Sequence, residues 1–252
     1  MRTALSFAAA AWLLAAGPAF AMSAEELVQK NIEAKGGIDK LKAIESWKLS
    51  GKMNFSGGDF SVDLGFTQMQ RRDNKLRTEA SLQGLTQVTA YDGKEGWNIQ
   101  PFQGRRDPQR MTAEENKGLE IQADIDGPLV DWQAKGHKLE YQGLEDVDGT
   151  EAHKLKVTLK NGDVQYYYFD PDYFLEIRVI SSVKRRGVEI ESETDLGNYE
   201  QIAGVYVPFS LESGAKGGPK GQKITIEKAE PNVKLDDALF AFPAAAAAAP
   251  AR

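Results

Sequence analysis

The sequence predicts a mainly β chain with a minority of helix, folded as one large curved antiparallel sheet of about eleven strands. Three features carry that prediction. Segments alternating apolar and polar residues recur along most of the chain, many joined by short turns rich in glycine or asparagine. Only two regions have helical capping and spacing. No strand alternates regularly with a helix of crossover length, which argues against parallel βαβ units.

The centre of the pattern runs from Glu151 to Ile180. Leu155, Val157 and Leu159 alternate with Lys154, Lys156 and Thr158. Alternate side chains of a strand point to opposite faces, so this strand has one dry and one wet face. Asn161-Gly162 favours a tight hairpin turn. Val164, Tyr166 and Tyr168 then alternate with Gln165 and Tyr167. After the turn at Asp170-Pro171-Asp172, Leu175, Ile177 and Val179 alternate with Glu176 and Arg178. The three strands form an antiparallel meander.

The remaining elements follow in chain order. Ser23 and Glu26 have capping-box spacing, with Leu27, Val28 and Ile32 along one side of the helix that follows. Gly36-Gly37 ends that helix, and a further short turn of helix spans 38–43. Trp47, Leu49, Met53 and Phe55 lead through Gly57-Gly58 to Phe60, Val62, Leu64 and Phe66, a hairpin with a heavily aromatic dry face. Weaker strands cover 75–83 and 85–91, and a short one ends at Ile99. Residues 101–110 read as an irregular basic loop. Thr112 and Glu115 repeat the capping-box spacing and start a helix over 113–123. Asp126-Gly127-Pro128 breaks it, and a short helix is expected over 129–134. Strands resume at 138–146, 188–199, 205–211 and 222–230, with a loose loop over 214–221.

Length and composition bound the function. Residues 1–21 read as a cleaved secretory signal peptide: Arg2, an apolar run from Ala4 to Ala16, then Ala19-Phe20-Ala21. That run is shorter than the ~20 residues of a spanning helix. The expected location is the periplasm, with residues 22–242 as one domain and 243–252 as a disordered Ala/Pro tail. The net charge of −6 argues against nucleic acid as a partner. The absence of cysteine excludes thiolate metal sites and disulfides. No metal or cofactor is expected.

Motifs for catalysis are sparse. There is no G-x-S-x-G elbow, H-E-x-x-H helix or P-loop. The two histidines, His137 and His153, stand apart from any nucleophile motif. Glu114 and Glu115 suit the first turn of a helix. Asp236-Asp237 reads as a polar turn that docks Leu239-Phe240. Catalytic residues are therefore expected to be none, and the chain is read as a non-enzyme. The basic groups Arg105, Arg106, Arg110 and Lys184-Arg185-Arg186 are solvated turns, or contacts for an anionic partner.

The aromatic hairpin is the best candidate for function. Trp47, Leu49, Met53, Phe55, Phe60, Val62, Leu64 and Phe66 are expected on one side of the sheet. The bland reading is ordinary core. Against it, two short helical regions cannot roof so many strands, so part of the concave face should remain as an apolar cleft suited to a lipid-like ligand. Trp97 is assigned to the same cleft. Phe102, Leu129, Val130 and Trp132 are assigned to a moving lid.

Several segments together resemble the superfamily of the periplasmic lipoprotein carrier LolA and its partner LolB, and especially outer membrane lipoprotein-sorting proteins. They are 31–53 (NIEAKGGIDKLKAIESWKLSGKM), 91–102 (YDGKEGWNIQPF), 126–136 (DGPLVDWQAKG), 145–178 and 205–211 (VYVPFSL). The resemblance implies a half-barrel closed by a helical lid, with an apolar cavity for the acyl chains of a lipoprotein. The expected ligand is then lipoprotein acyl chains or lipid. A membrane-bound exporter or acceptor protein is the expected partner, and the chain is expected to be a monomer. The alternative is an envelope protein-interaction or sensor module on the same fold. The chain is longer than the best-studied carriers and has its own helical insert.

Overall fold

A computed structural model of the protein describes residues 22–185 and 187–243. The expected leader and all but the first residue of the expected tail lie outside these residues. The chain forms one open antiparallel sheet, a half-barrel of thirteen strands. The first five strands are β1 (Ser46–Gly57), β2 (Phe60–Arg71), β3 (Lys75–Leu82), β4 (Leu85–Tyr91) and β5 (Gly96–Gln100). They are followed by β6 (Arg105–Arg110), β7 (Lys138–Val147), β8 (Thr150–Thr158) and β9 (Val164–Phe169). The last four are β10 (Glu176–Arg185), β11 (Val188–Ile202), β12 (Val205–Ala215) and β13 (Lys220–Pro231).

Neighbours in sequence are neighbours in the sheet, except β6 and β7, which form its two edges. The last strand returns to pair with the first, so β13 lies beside β1 and the order is β6-β5-β4-β3-β2-β1-β13-β12-β11-β10-β9-β8-β7. The sheet exceeds the expected count of about eleven strands in part because Arg105–Arg110 extends it as an edge strand rather than an irregular loop. Pro108 is tolerated there because an edge strand leaves some backbone groups without a ladder partner.

Three helices accompany the sheet: α1 (Ala24–Ala34), α2 (Ile38–Lys42) and α3 (Ala113–Ala123). Both expected capping boxes form, at Ser23/Glu26 and Thr112/Glu115. Gly36 ends α1 with φ +122°, and a Cβ there would meet the Gly204 carbonyl oxygen at 2.2 Å. That close approach seats the end of α1 on the β11–β12 turn, where the Tyr206 amide donates to the Lys35 carbonyl at 3.0 Å.

The expected helix over 129–134 is absent; residues 125–136 form successive turns. Asp131 sits at φ +54°, which interrupts helical propagation. No described helix is long and apolar enough to cross a membrane.

The meander is roofed by α1. Leu27 and Val28 pack on Leu155, Val157, Leu159, Tyr167 and Phe169, and Leu129 completes the cluster. Tyr168 faces the other way, in a second cluster with Val147, Ala152 and Ile180. At the opposite end of the sheet, α3 places Leu119 and Ala123 on Leu76 and Tyr91.

Candidate functional site

Between those two helical roofs lies a stretch of sheet that helix meets only at one edge, where Leu41 of α2 joins the cluster of Ile44, Trp47 and Val205. Its apolar cluster contains Met53, Leu64, Phe66, Ala80, Phe209 and Ile226, all from strands β1, β2, β3, β12 and β13. The hydrophobics that pack against it are also strand residues. The register shows why they share a face. Met53 stands opposite Leu64 and Ile224, Phe55 opposite Val62, Gly51 opposite Phe66, and Leu211 opposite Ile224. Directly opposed residues point to the same side of an antiparallel pair.

A cavity of about 190 Å³ opens on this face. Trp47, Leu49 and Phe66 line it from the first hairpin, and Val207, Leu211, Ile224 and Ile226 from β12 and β13. Gln68 and Gln70 add the polar lining, and Ile125 joins the wall from the insert. The lining contains no carboxylate, histidine or hydroxyl side chain.

The expected site residues divide three ways. Trp47, Leu49 and Phe66 line the cavity, while Met53 and Leu64 are packed beside it. Phe55, Val62 and Phe60 continue the same face toward the hairpin tip, where Phe55 is 36 % and Phe60 62 % exposed. Trp97 is not part of this site. Tyr91 pairs with Gly96, so Gly96 faces α3, and a Cβ there would meet Leu119 at 2.4 Å. The next residue must point to the outer face. There Trp97 packs with Val88, Ala90 and Phe242 and donates from Nε1 to the Phe240 carbonyl at 2.8 Å.

The expected lid is also rearranged. Leu129 is locked into the core under α1, Val130 is buried, and Trp132 packs at the edge of the same core. Phe102 lies in a 3-10 turn at Pro101–Gln103, 41 % exposed and outside the cavity lining. The residue that the insert contributes to the cavity wall is Ile125, which carried no sequence signal. The alternations over 205–211 and 222–230 marked Val207, Leu211, Ile224 and Ile226 as strand residues, but not as cavity wall.

Ile125 is held in place by its neighbour. The Asp126 carboxylate accepts two hydrogen bonds from Arg72, at 2.6 and 3.0 Å, and one from Lys42 at 3.2 Å. Lys42 also binds Asp131. Arg72 further donates to the carbonyls of Leu41 and Ile44, which close the end of α2. Burial pushes the Asp126 carboxyl up, but hydrogen bonds and charge from Arg72 and Lys42 outweigh it and hold the group below the usual carboxylate range. The insert is therefore latched to α2 and the β2–β3 turn.

Neither histidine sits at this cavity. His153 is half-buried between Tyr141, whose hydroxyl lies 2.9 Å from Nδ1, and the ring of Phe174. His137 accepts from the Lys160 amide at 3.1 Å.

No protein-family model and no curated protein sequence matches the chain. Solved structures do. A DUF1329 family protein from Desulfovibrio piger superposes with a TM-score of 0.60 at 14 % identity, covering 88 % of this chain and 98 % of that one. A LolA superfamily protein from Nitrosomonas europaea gives 0.59 at 13 % identity, covering 88 % and 98 %. A putative outer membrane lipoprotein-sorting protein domain from Vibrio parahaemolyticus gives 0.56 at 11 %, covering 86 % and 95 %. The fold is LolA-like.

Proposed function

We propose that the chain is a non-enzymatic periplasmic carrier that takes the acyl chains of a lipoprotein or lipid onto the uncovered inner face and moves them within the cell envelope. The observation that carries this reading is the purely strand-built apolar cluster, running from a cavity beside Ile125 to exposed Phe60 at the hairpin tip. A soluble chain does not leave such a face unroofed without cost, and each acyl CH₂ placed on it is stabilised by ~0.8 kcal/mol. The names of the LolA superfamily and lipoprotein-sorting structures agree with this reading.

The cavity of about 190 Å³ is smaller than the roughly 300–1,000 Å³ of ordinary ligand pockets. Entry of a chain therefore requires Ile125 and its turn to move, and the ligand favours the open state by its differential affinity. The test is titration of residues 22–252 with a fluorescent fatty acid. Saturable binding is expected, weakened about tenfold or more by Leu211→Trp, which fills the cavity. Unsaturable binding, or a Leu211→Trp protein that binds like the parent, removes the carrier reading. The alternative, a protein-interaction or sensor module, is favoured by the small size of the cavity and predicts no acyl binding by either protein.

A further inference from the structure

A second cavity, of about 500 Å³, lies on the other side of the same insert. Its walls are α3, the insert and the turn between β8 and β9, and they include Glu120, Ile121, Asp124, Lys135, His137 and Lys160. Asp124 is extended, with φ −68° and ψ 101°. Successive side chains of extended backbone point to opposite sides. Asp124 accordingly lines the larger cleft, while Ile125 lines the apolar cavity. A cleft of mixed charged and apolar lining and a mainly apolar cavity thus meet at one peptide.

The charges in the cleft are unevenly spent. Asp124 is neutralised by Lys135 at 2.5 Å, and Lys135 also donates to the Gly127 carbonyl. His137 uses Nδ1 to accept from the Lys160 amide, which leaves Nε2–H as a donor in the neutral ring. Glu120 on α3 and Lys160 on the β8–β9 turn have no ion-pair partner among the described residues. One anion and one cation therefore stand unmatched on two walls of a cleft of ligand size.

We propose that this cleft receives the headgroup of a zwitterionic amphiphile. Its primary ammonium meets Glu120, its phosphate or carboxylate meets Lys160 and His137 Nε2–H, and its acyl chain passes Ile125 into the apolar cavity. The inference rests on the carrier reading for the acyl chain and adds the class of head that the carrier selects.

The experiment displaces the fluorescent fatty acid with lysophosphatidylethanolamine, lysophosphatidylglycerol and a monoacylglycerol that share one acyl chain. The ethanolamine lipid is expected to bind about tenfold tighter than lysophosphatidylglycerol, and that lipid tighter than the monoacylglycerol, each step the worth of one or two charge-assisted hydrogen bonds. Glu120→Gln should bring it down to the phosphatidylglycerol analogue, and Lys160→Gln should weaken both phospholipids while leaving the monoacylglycerol unchanged. Both positions are exposed, so the variants fold. Equal affinity for the three lipids, with fatty-acid binding intact, overturns this inference and spares the carrier. Loss of all acyl binding overturns both. Binding of free glycerophosphoethanolamine that both variants abolish, without any lipid preference, overturns the amphiphile in favour of a small soluble zwitterion.

Discussion

Phe240→Ala is expected to lower stability by about 4 kcal/mol, a fall in Tm of roughly 10 °C for a domain of this size. Phe240 is fully buried in a cluster with Met69 and Leu235 on the outer face of the sheet. The segment that carries it is fastened by polar bonds to three strands. Arg71 donates to the Leu235 carbonyl at 2.9 Å and Arg77 to the Leu239 carbonyl at 2.7 Å, while Trp97 donates to Phe240 itself. Arg71 and Lys75 also bind Asp237. Removing the ring leaves a void that these bonds prevent the strap from collapsing into. Thermal unfolding measures the loss, and tryptophan emission should shift to the red as Trp97 gains water. Because the strap lies on the face opposite the cavity, fatty-acid affinity well below Tm should stay within a factor of about two. A large change in affinity would mean that the two faces are coupled.

Asp126→Ala is the complementary prediction. It removes the carboxylate that Arg72 and Lys42 share and is expected to cost roughly 3 kcal/mol, since a largely buried cation loses its partner. The side chain of Asp126 is 8 % exposed and that of Arg72 24 %. Here the functional readout should move: amide exchange across 124–136 accelerates, and acyl chains enter faster. Unchanged exchange in this segment would show that Asp126 does not latch the insert.

The pH dependence has a definite sign. The carboxyl is held below its ordinary value of about 3.9. Its stabilisation is complete above that value and is lost as pH falls through the lower, folded-state value. The parent protein should therefore lose more stability than the alanine variant on acidification below about pH 4. Asp195 and Glu145 are also held low by nearby cations, so the difference between the two proteins, rather than the parent's curve alone, isolates Asp126.

Much of the fold could be read from local pattern. Two capping boxes, the Asn161-Gly162 turn and the dry face from Trp47 to Phe66 act within a few residues of chain. The misses have a common origin. Trp97 looks like any other aromatic of a short strand until its predecessor is seen to need a glycine against α3, which fixes the parity of that strand. Arg105–Arg110 carries no apolar alternation, because an exposed edge buries neither face. Leu129 and Val130 have helical spacing, but burial under α1 and the positive φ of Asp131 turn the chain instead.

What the sequence by itself determined was the class of the protein: alternation with short turns can only build an antiparallel sheet, and so few helical residues cannot roof it. Tertiary structure decided where the bare patch lies, which residue of the insert lines it and what lies behind that residue. The return of β13 to β1 brings strands from both ends of the chain together, and the bond between Arg72 and Asp126 places Ile125 beside them. Contacts between residues so far apart in sequence are chosen by the whole folded sheet, so no local pattern of residues encodes them.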